Sequence, residues 1–152
     1  MKTTSKIGVL FVIAAVALLL VPASAEAQQR SGIGLGFVLG EPSGIAAVSW
    51  LGGGNAVDLV GAWSFGGGGS FYLHADYQYH SWVEQPLSAF FGLGGFVQLQ
   101  DDPVLGVRVP LGITYLFQDL PMDVFVEVAP GMALVPGTDF VIGGGLGLRY
   151  YF

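Results

Sequence analysis

The chain has no cysteine among its 152 residues, which excludes disulfides, thiolate metal sites and acylation of an N-terminal cysteine. It has little charge either. Charged residues make up 11% of the sequence and hydrophobic ones 53%, whereas an average soluble domain carries about 25% charged residues. Basic residues are scarcest: Lys2, Lys6, Arg30, Arg108 and Arg149 stand against 11 acidic ones, for a formal charge of −6. That balance argues against nucleic acid as a partner. Beyond the N-terminus no apolar run approaches the about 20 residues of a membrane-spanning helix. An apolar chain without such helices can still satisfy its backbone in a bilayer as a closed β-barrel. The 25 glycines suit strands and turns better than helices.

The chain opens with Lys2 and Lys6 ahead of an unbroken apolar run, Ile7 to Val21, followed by Ala23-Ser-Ala25 and Ala25-Glu-Ala27. A basic start, a short apolar stretch and small-residue cleavage sites predict a secretory signal peptide over residues 1–27, cut after Ala27 or Ala25. Fifteen apolar residues are short for an uncleaved anchor. Residues 28–152 then form one domain.

From Ser31 onward eight segments alternate in character, separated by Gly, Pro, Asp and Asn clusters: 32–40, 44–51, 55–65, 71–81, 88–100, 104–117, 122–131 and 139–152. Period-two alternation predicts strands. In the fourth, Phe71, Leu73, Ala75, Tyr77 and Tyr79 share one face, and Tyr72, His74, Asp76, Gln78 and His80 the other. The sixth sets Leu105, Val107, Val109, Leu111, Ile113 and Tyr115 against Gly106, Arg108, Pro110, Gly112 and Thr114. The seventh sets Val124, Val126 and Val128 against Asp123, Phe125 and Glu127. Mid-strand charges fall on the less apolar face throughout. The expected fold is therefore all-β, an eight-stranded antiparallel up-and-down transmembrane β-barrel with apolar side chains toward lipid.

Aromatic placement bears on orientation. If both chain ends lie in the periplasm, even-numbered strands run toward it and their last outward residues form the inner aromatic girdle. Trp50, Tyr77, Tyr79, Tyr115, Phe117, Tyr150 and Phe152 take those places, with Trp63 and Phe65 on the outer girdle. The external loops, including Gly40 to Ser43 and Gly66 to Ser70, are then short, which disfavours a protein partner bound through large loops. Their carboxylates Glu41, Asp101, Asp102 and Asp139 either solvate turns or hold divalent cations against lipid phosphates.

The last ten residues, Gly143 to Phe152, alternate toward a closing aromatic residue. This stretch resembles the closing strand of bacterial outer-membrane barrels, in which a terminal Phe after alternating aromatics acts as the assembly signal. The resemblance implies that Tyr150 and Phe152 engage the barrel-assembly machinery. The whole region after residue 27 resembles small eight-stranded barrels of the OmpA/OmpX type. More closely, Gly40-Glu-Pro-Ser-Gly44, Leu73-His-Ala-Asp-Tyr77, Leu105-Gly-Val-Arg-Val-Pro-Leu-Gly112, Val126-Glu-Val-Ala-Pro130 and Gly145-Leu-Gly-Leu-Arg-Tyr-Tyr-Phe152 resemble a family of outer-membrane barrel proteins of unknown function. The family implies fold and location and carries over no catalytic residue.

Eight strands enclose about enough room for their own side chains. Inward glycines Gly34 and Gly36 are expected beside Gly143, Gly145 and Gly147 across the closing seam, with bulky residues of the fourth strand filling from the opposite wall. The expected inward polar network is Asp58, His74, Asp76, Gln78, His80, Arg108, Glu127 and Arg149. Within it Asp58 faces Gln78, and Glu127 has Arg108 and Arg149 on the flanking strands, because a fixed guanidinium charge in a dry place requires a carboxylate. His74 and Asp76 could donate to a metal, but no third ligand stands out in the sequence. Both histidines lie on one strand and the nearest inward serine, Ser64, is expected opposite Tyr72, so no nucleophile and base meet. The glycine runs 52–54 and 66–69 lack the Lys-Ser/Thr of a phosphate loop.

The expected function is that of an outer-membrane scaffold in contact with lipid, monomeric, non-enzymatic and without cofactor, its lumen mostly plugged. A narrow pore for small solutes or ions is the alternative. A soluble barrel holding a hydrophobic ligand is a second, opposed by the outward apolar rows.

Overall fold

The computed structural model describes residues 32–41, 43–64 and 69–152; the expected signal peptide, Phe65 and the glycines at 66–68 lie outside them. Among the described residues there is no helix, and nine strands form one antiparallel sheet: β1 (Ile33–Glu41), β2 (Gly44–Gly52), β3 (Asn55–Ser64), β4 (Ser70–Glu84), β5 (Leu87–Leu99), β6 (Val104–Arg108), β7 (Leu111–Leu116), β8 (Met122–Val135) and β9 (Asp139–Tyr151). Tight turns keep sequential strands adjacent. Between β2 and β3, Gly52, Gly53 and Gly54 all take positive φ (91°, 61° and 85°), a backbone that only glycine adopts without strain. Between β1 and β2, the Ser43 hydroxyl accepts from Gly40 N–H (3.1 Å) and donates to Gly40 C=O (3.0 Å).

Chain neighbours pair from β1 to β5, β5 pairs with both β6 and β7, both of these pair with β8, and β8 pairs with β9. β9 in turn pairs with β1. Each strand therefore has a hydrogen-bonded neighbour on both sides, and the backbone donors and acceptors of the sheet are used within it.

The sixth segment, expected as one strand over 104–117, is two. Pro110 has no N–H to give the ladder, and Pro130 of β8 has the same lack. Pairing of β6 with β8 stops at Arg108↔Gly131, and that of β7 resumes at Leu111↔Val128. Carbonyls still serve across the gap: Val109 N–H donates to Pro130 and Gly92 N–H to Pro110, both at 2.9 Å. The count is nine rather than eight, with β6 and β7 sharing one lane between β5 and β8.

The sheet has one exposed and one buried face, and the polarity of a water-soluble protein is inverted across it. Leu73, Tyr77, Tyr79, Leu105, Val107, Leu111, Ile113 and Val128 are exposed, and Leu39 and Phe140 reach 66%. Asp58, His74, Asp76, Arg108, Asp123 and Arg149 are buried.

Three side chains depart from the expected arrangement. Trp50, expected among the outward residues of the inner aromatic girdle by its strand-end position, lies on the buried side, packed on Val48, Ala56 and Tyr151. It shares parity with Gly44, Ala46 and Val48, all buried, and its partner Ala56 leaves a hollow that the indole fills. Tyr150 is only 9% exposed, because Leu35 and Met122 flank it in register and Phe152 meets its ring edge-on at 5.2 Å. Phe117 is half-buried against Tyr115, ring centroids 5.2 Å apart.

The closing seam also differs. Gly34 and Gly36 face Tyr151 and Arg149, while Gly147 faces Val38 and Gly145 faces Gly40. Most buried-face glycines make room for a large neighbour: a Cβ on Gly34 would strike the Tyr151 ring, on Gly147 that of Phe125, on Gly112 that of Phe90 and on Gly106 that of Phe96. Gly36 is tighter still, since its Cβ would meet the Leu148 carbonyl and Arg149 Cα, which are backbone atoms. Gly36→Ala is expected to destabilise the fold by about 1–3 kcal/mol through overpacking. Gly137→Ala, which meets nothing within 4 Å, should stay within about 0.5 kcal/mol. Chemical-unfolding midpoints of the two variants check this, and equal midpoints would refute the steric account.

Candidate functional site

Two arginines anchor the polar side chains of the buried face. Arg149 on β9 binds Asp123 of β8 with both ends of its fork, Nε to Oδ1 and Nη2 to Oδ2, each at 3.0 Å. Its third donor, Nη1, reaches Asp58 Oδ1 of β3 at 2.9 Å. β1 and β2 lie between β9 and β3 in the sheet, so this bond crosses the buried face. Asp123 has no exposure at all, and the Tyr151 hydroxyl donates to its Oδ2. The guanidinium carbon of Arg149 also lies 4.2 Å from the Phe125 ring centroid, a cation–π contact.

Arg108 on β6 is the second anchor. Nη2 donates to Glu127 Oε1, and Nη1 lies 2.8 Å from His74 Nδ1 and 3.3 Å from the Tyr72 hydroxyl. Nε is 3.2 Å from Asp76 Oδ2. Since guanidinium only donates, His74 Nδ1 accepts and the neutral ring carries its proton on Nε2. That nitrogen lies 3.5 Å from Asp76 Oδ2 and 3.7 Å from Asp58 Oδ2. His74 therefore bridges the two arginine clusters. Ligand atoms of Asp58, His74 and Asp76 lie within 4.8 Å of one another, so Asp58, from the neighbouring strand, is the third donor that the sequence does not single out.

Gln78 and His80 stand apart from this group. His80 Nε2 meets Gln78 Oε1 at 3.1 Å, and the imidazole is held between Trp50 (centroids 4.6 Å) and Phe90 (4.8 Å). The structure thus brings Asp58, His74, Asp76, Arg108, Glu127 and Arg149 to one face and ties Gln78 and His80 into an aromatic cluster beside them.

Register accounts for the differences from the expected pairs. Asp58 lies opposite Asp76, not Gln78, because the β3–β4 ladder is shifted by two residues. The two carboxylates of that pair are kept apart energetically by separate arginines, Arg149 on one and Arg108 on the other. Arg149 takes Asp123 rather than Glu127 as its β8 partner, since Asp123 is the residue directly across from it. Asp123, Tyr72 and Tyr151 are network members absent from the expected set. Their alternation phase was a usable signal, but their partners depend on register. Ser64 lies opposite Ser70, and His74 opposite Val60. Of the expected girdle, Tyr77, Tyr79, Tyr115 and Phe152 are exposed and Trp63 is half-buried.

Comparison of the chain with protein-family models, curated proteins and solved structures finds no match. Its chemistry is therefore read from the side chains themselves.

Replacing Arg149 by Met keeps much of the volume but leaves Asp58 and Asp123 buried without their cation. Arg149→Met is expected to cost about 3–5 kcal/mol, and Asp123→Asn in the same chain should recover part of it by removing one stranded charge. An unchanged unfolding midpoint for the single variant would remove Arg149 from its anchoring role.

Proposed function

We propose that the chain is an integral β-barrel of a Gram-negative-type outer membrane, delivered by a cleaved signal peptide, with a structural or membrane-integrity role and a plugged lumen. The support is the inverted sheet: apolar rows on the exposed face, mid-strand charges on the buried face with exposed carboxylates, among the described strands, only at the strand ends Glu41, Glu84 and Asp139, and β1 paired with β9 so that no strand edge is left open. Water would penalise those rows, whereas lipid favours them. The phase of β9, with Leu146 and Phe152 exposed, fits recognition of that strand by the barrel-assembly machinery, and Tyr77, Tyr79 and Tyr115 fit the headgroup zone. The protein acts as a monomer in contact with lipid and does no catalysis. Aromatic rings nested over glycines, together with crossing ion pairs, fill the face that a narrow pore would need free. A soluble barrel for a hydrophobic ligand would place its apolar rows inside, opposite to the arrangement here.

Val126, 57% exposed in the middle of β8, provides the test. Val126→Arg is expected to weaken folding into lipid vesicles by about 2–4 kcal/mol, the cost of an arginine near the bilayer midplane. On a water-facing surface the same change would stay within about 0.5 kcal/mol, and that outcome, with the chain folding in buffer without lipid or detergent, would overturn the membrane reading. Planar-bilayer recordings of the folded protein should show no discrete conductance. Regular openings would replace the plugged lumen by a pore.

A further inference from the structure

We propose that Asp58, His74 and Asp76 form a site for one divalent transition-metal ion of the zinc class. The inference stands on the buried face alone and does not depend on what lies against the exposed one.

Distance is the first observation. His74 Nε2 lies 3.5 Å from Asp76 Oδ2 and 3.7 Å from Asp58 Oδ2. Both separations exceed the about 2.9 Å of a hydrogen bond. Both are close to the roughly 3.4 Å edge of a tetrahedron whose metal–ligand bonds are about 2.1 Å. Both histidine–carboxylate separations are thus those of ligands that share an ion rather than of hydrogen-bond partners, and all three ligand atoms lie within 4.8 Å of one another.

The second observation is that the His74 and Asp76 ligand atoms at this point lack hydrogen-bond partners, Asp76 Oδ2 having only its ion pair with Arg108 Nε at 3.2 Å. His74 Nε2 and both oxygens of Asp76 have no hydrogen-bond partner although the residues are almost fully buried. Arg108 Nε, near Asp76 Oδ2, is likewise without hydrogen-bond geometry. Buried polar atoms left in this state are costly and rare, and a metal ion would satisfy His74 Nε2 and one Asp76 oxygen together.

Charge is the third. The buried network holds four carboxylates, Asp58, Asp76, Asp123 and Glu127, and two guanidiniums, Arg108 and Arg149. With neutral histidines it carries two negative charges in excess, which a divalent ion offsets in a place where isolated charge is expensive. The outer contacts suit that role. Arg149 holds Asp58 by Oδ1 at 2.9 Å and leaves Oδ2 toward the site, as outer-sphere groups orient metal ligands. One imidazole and two carboxylates form a mixed N/O set that favours zinc, manganese or ferrous ions over calcium, which takes six to eight oxygens.

Arg108 sets the condition for loading. Without metal, its Nη1 donates to His74 Nδ1 and keeps the ring proton on Nε2. A metal on Nε2 requires the other neutral tautomer, with the proton on Nδ1. Arg108 then turns Nη1 to the Tyr72 hydroxyl, already 3.3 Å away, while Nη2 keeps Glu127. No proton leaves the ring, so the two positive charges of the ion are added in full.

The test uses the full chain, without a polyhistidine tag, folded in the presence of zinc chloride and dialysed. Elemental analysis is expected to find about one zinc per chain. Asp76→Asn and His74→Gln should each lower zinc retention about tenfold or more, whereas His80→Gln, outside the site, should leave it unchanged. Far-UV circular dichroism checks that each variant has folded. Should the site variants fail to fold, the parent chain still decides: nitrogen NMR must show the His74 proton moving from Nε2 to Nδ1 on loading, and the zinc absorption edge must show an imidazole in an N/O shell. A folded parent that retains no zinc, zinc held equally by folded Asp76→Asn, or a His74 ring that keeps its proton on Nε2 would each overturn the proposal.

Discussion

A guanidinium that cannot lose its charge, held away from water, is the constraint on which this architecture turns. Arg149 is buried, and its three donating nitrogens are satisfied by two carboxylates from different strands. One, Asp123, is across the β8–β9 ladder; the other, Asp58, is 91 residues earlier and three strands away. Both must be present at once, so β3, β8 and β9 can hold only one relative arrangement. Arg108 repeats the device from β6, reaching across β5 to Tyr72, His74 and Asp76 on β4. Ion pairs that cross the buried face add little net stability once desolvation is counted, but breaking one is costly. Their effect is to penalise every other register.

Space makes those crossings possible. Arg149 faces Gly36 on β1, and Ala46, opposite Gly36 on β2, is small and fully buried. The rings of Phe90, Phe96, Phe125 and Tyr151 similarly lie over glycines of adjacent strands. Glycine weakens a strand on its own, so its repeated use here follows from its neighbours. Where one strand projects a large group inward, the next withdraws to backbone, as Tyr151 over Gly34 and Phe125 over Gly147 show.

Much of this was legible in the sequence. Alternation alone assigns His74, Asp76, Arg108, Glu127 and Arg149 to one face and Leu73, Tyr77, Val107, Ile113 and Val126 to the other, because a strand's side-chain period is fixed at two. Partners were not legible, because they depend on how far one strand slides along the next, and a two-residue slide preserves the faces while changing every pair. Asp58 consequently meets Asp76 rather than Gln78, and the third potential metal ligand emerges only with the true register. Trp50 was misplaced by its chemistry: a tryptophan at a strand end resembles a membrane-interface anchor, yet its parity with Ala46 and Val48 puts it inside. Tyr150 kept its outward phase but was covered by flanking side chains, an effect of neighbours rather than of its own strand. In the alternation Pro110 is an ordinary inward position of one strand over 104–117, although its missing donor is a property of the sequence. Its consequence depended on Pro130 standing across from it.

The apolar exposed face and the charged buried face are two results of one requirement. If lipid surrounds the sheet, an outward arginine costs several kcal/mol near the midplane, so the few charges the strands carry must turn inward. Once inside, each needs partners, and carboxylates supply them. Carboxylates can exceed arginines without harm to the exterior, and here they do, by two. That excess follows from a chain with so few cations, and it collects where Asp58 and Asp76 meet His74. On that reading, one constraint both turns Arg149 and Arg108 inward and gathers four carboxylates around them.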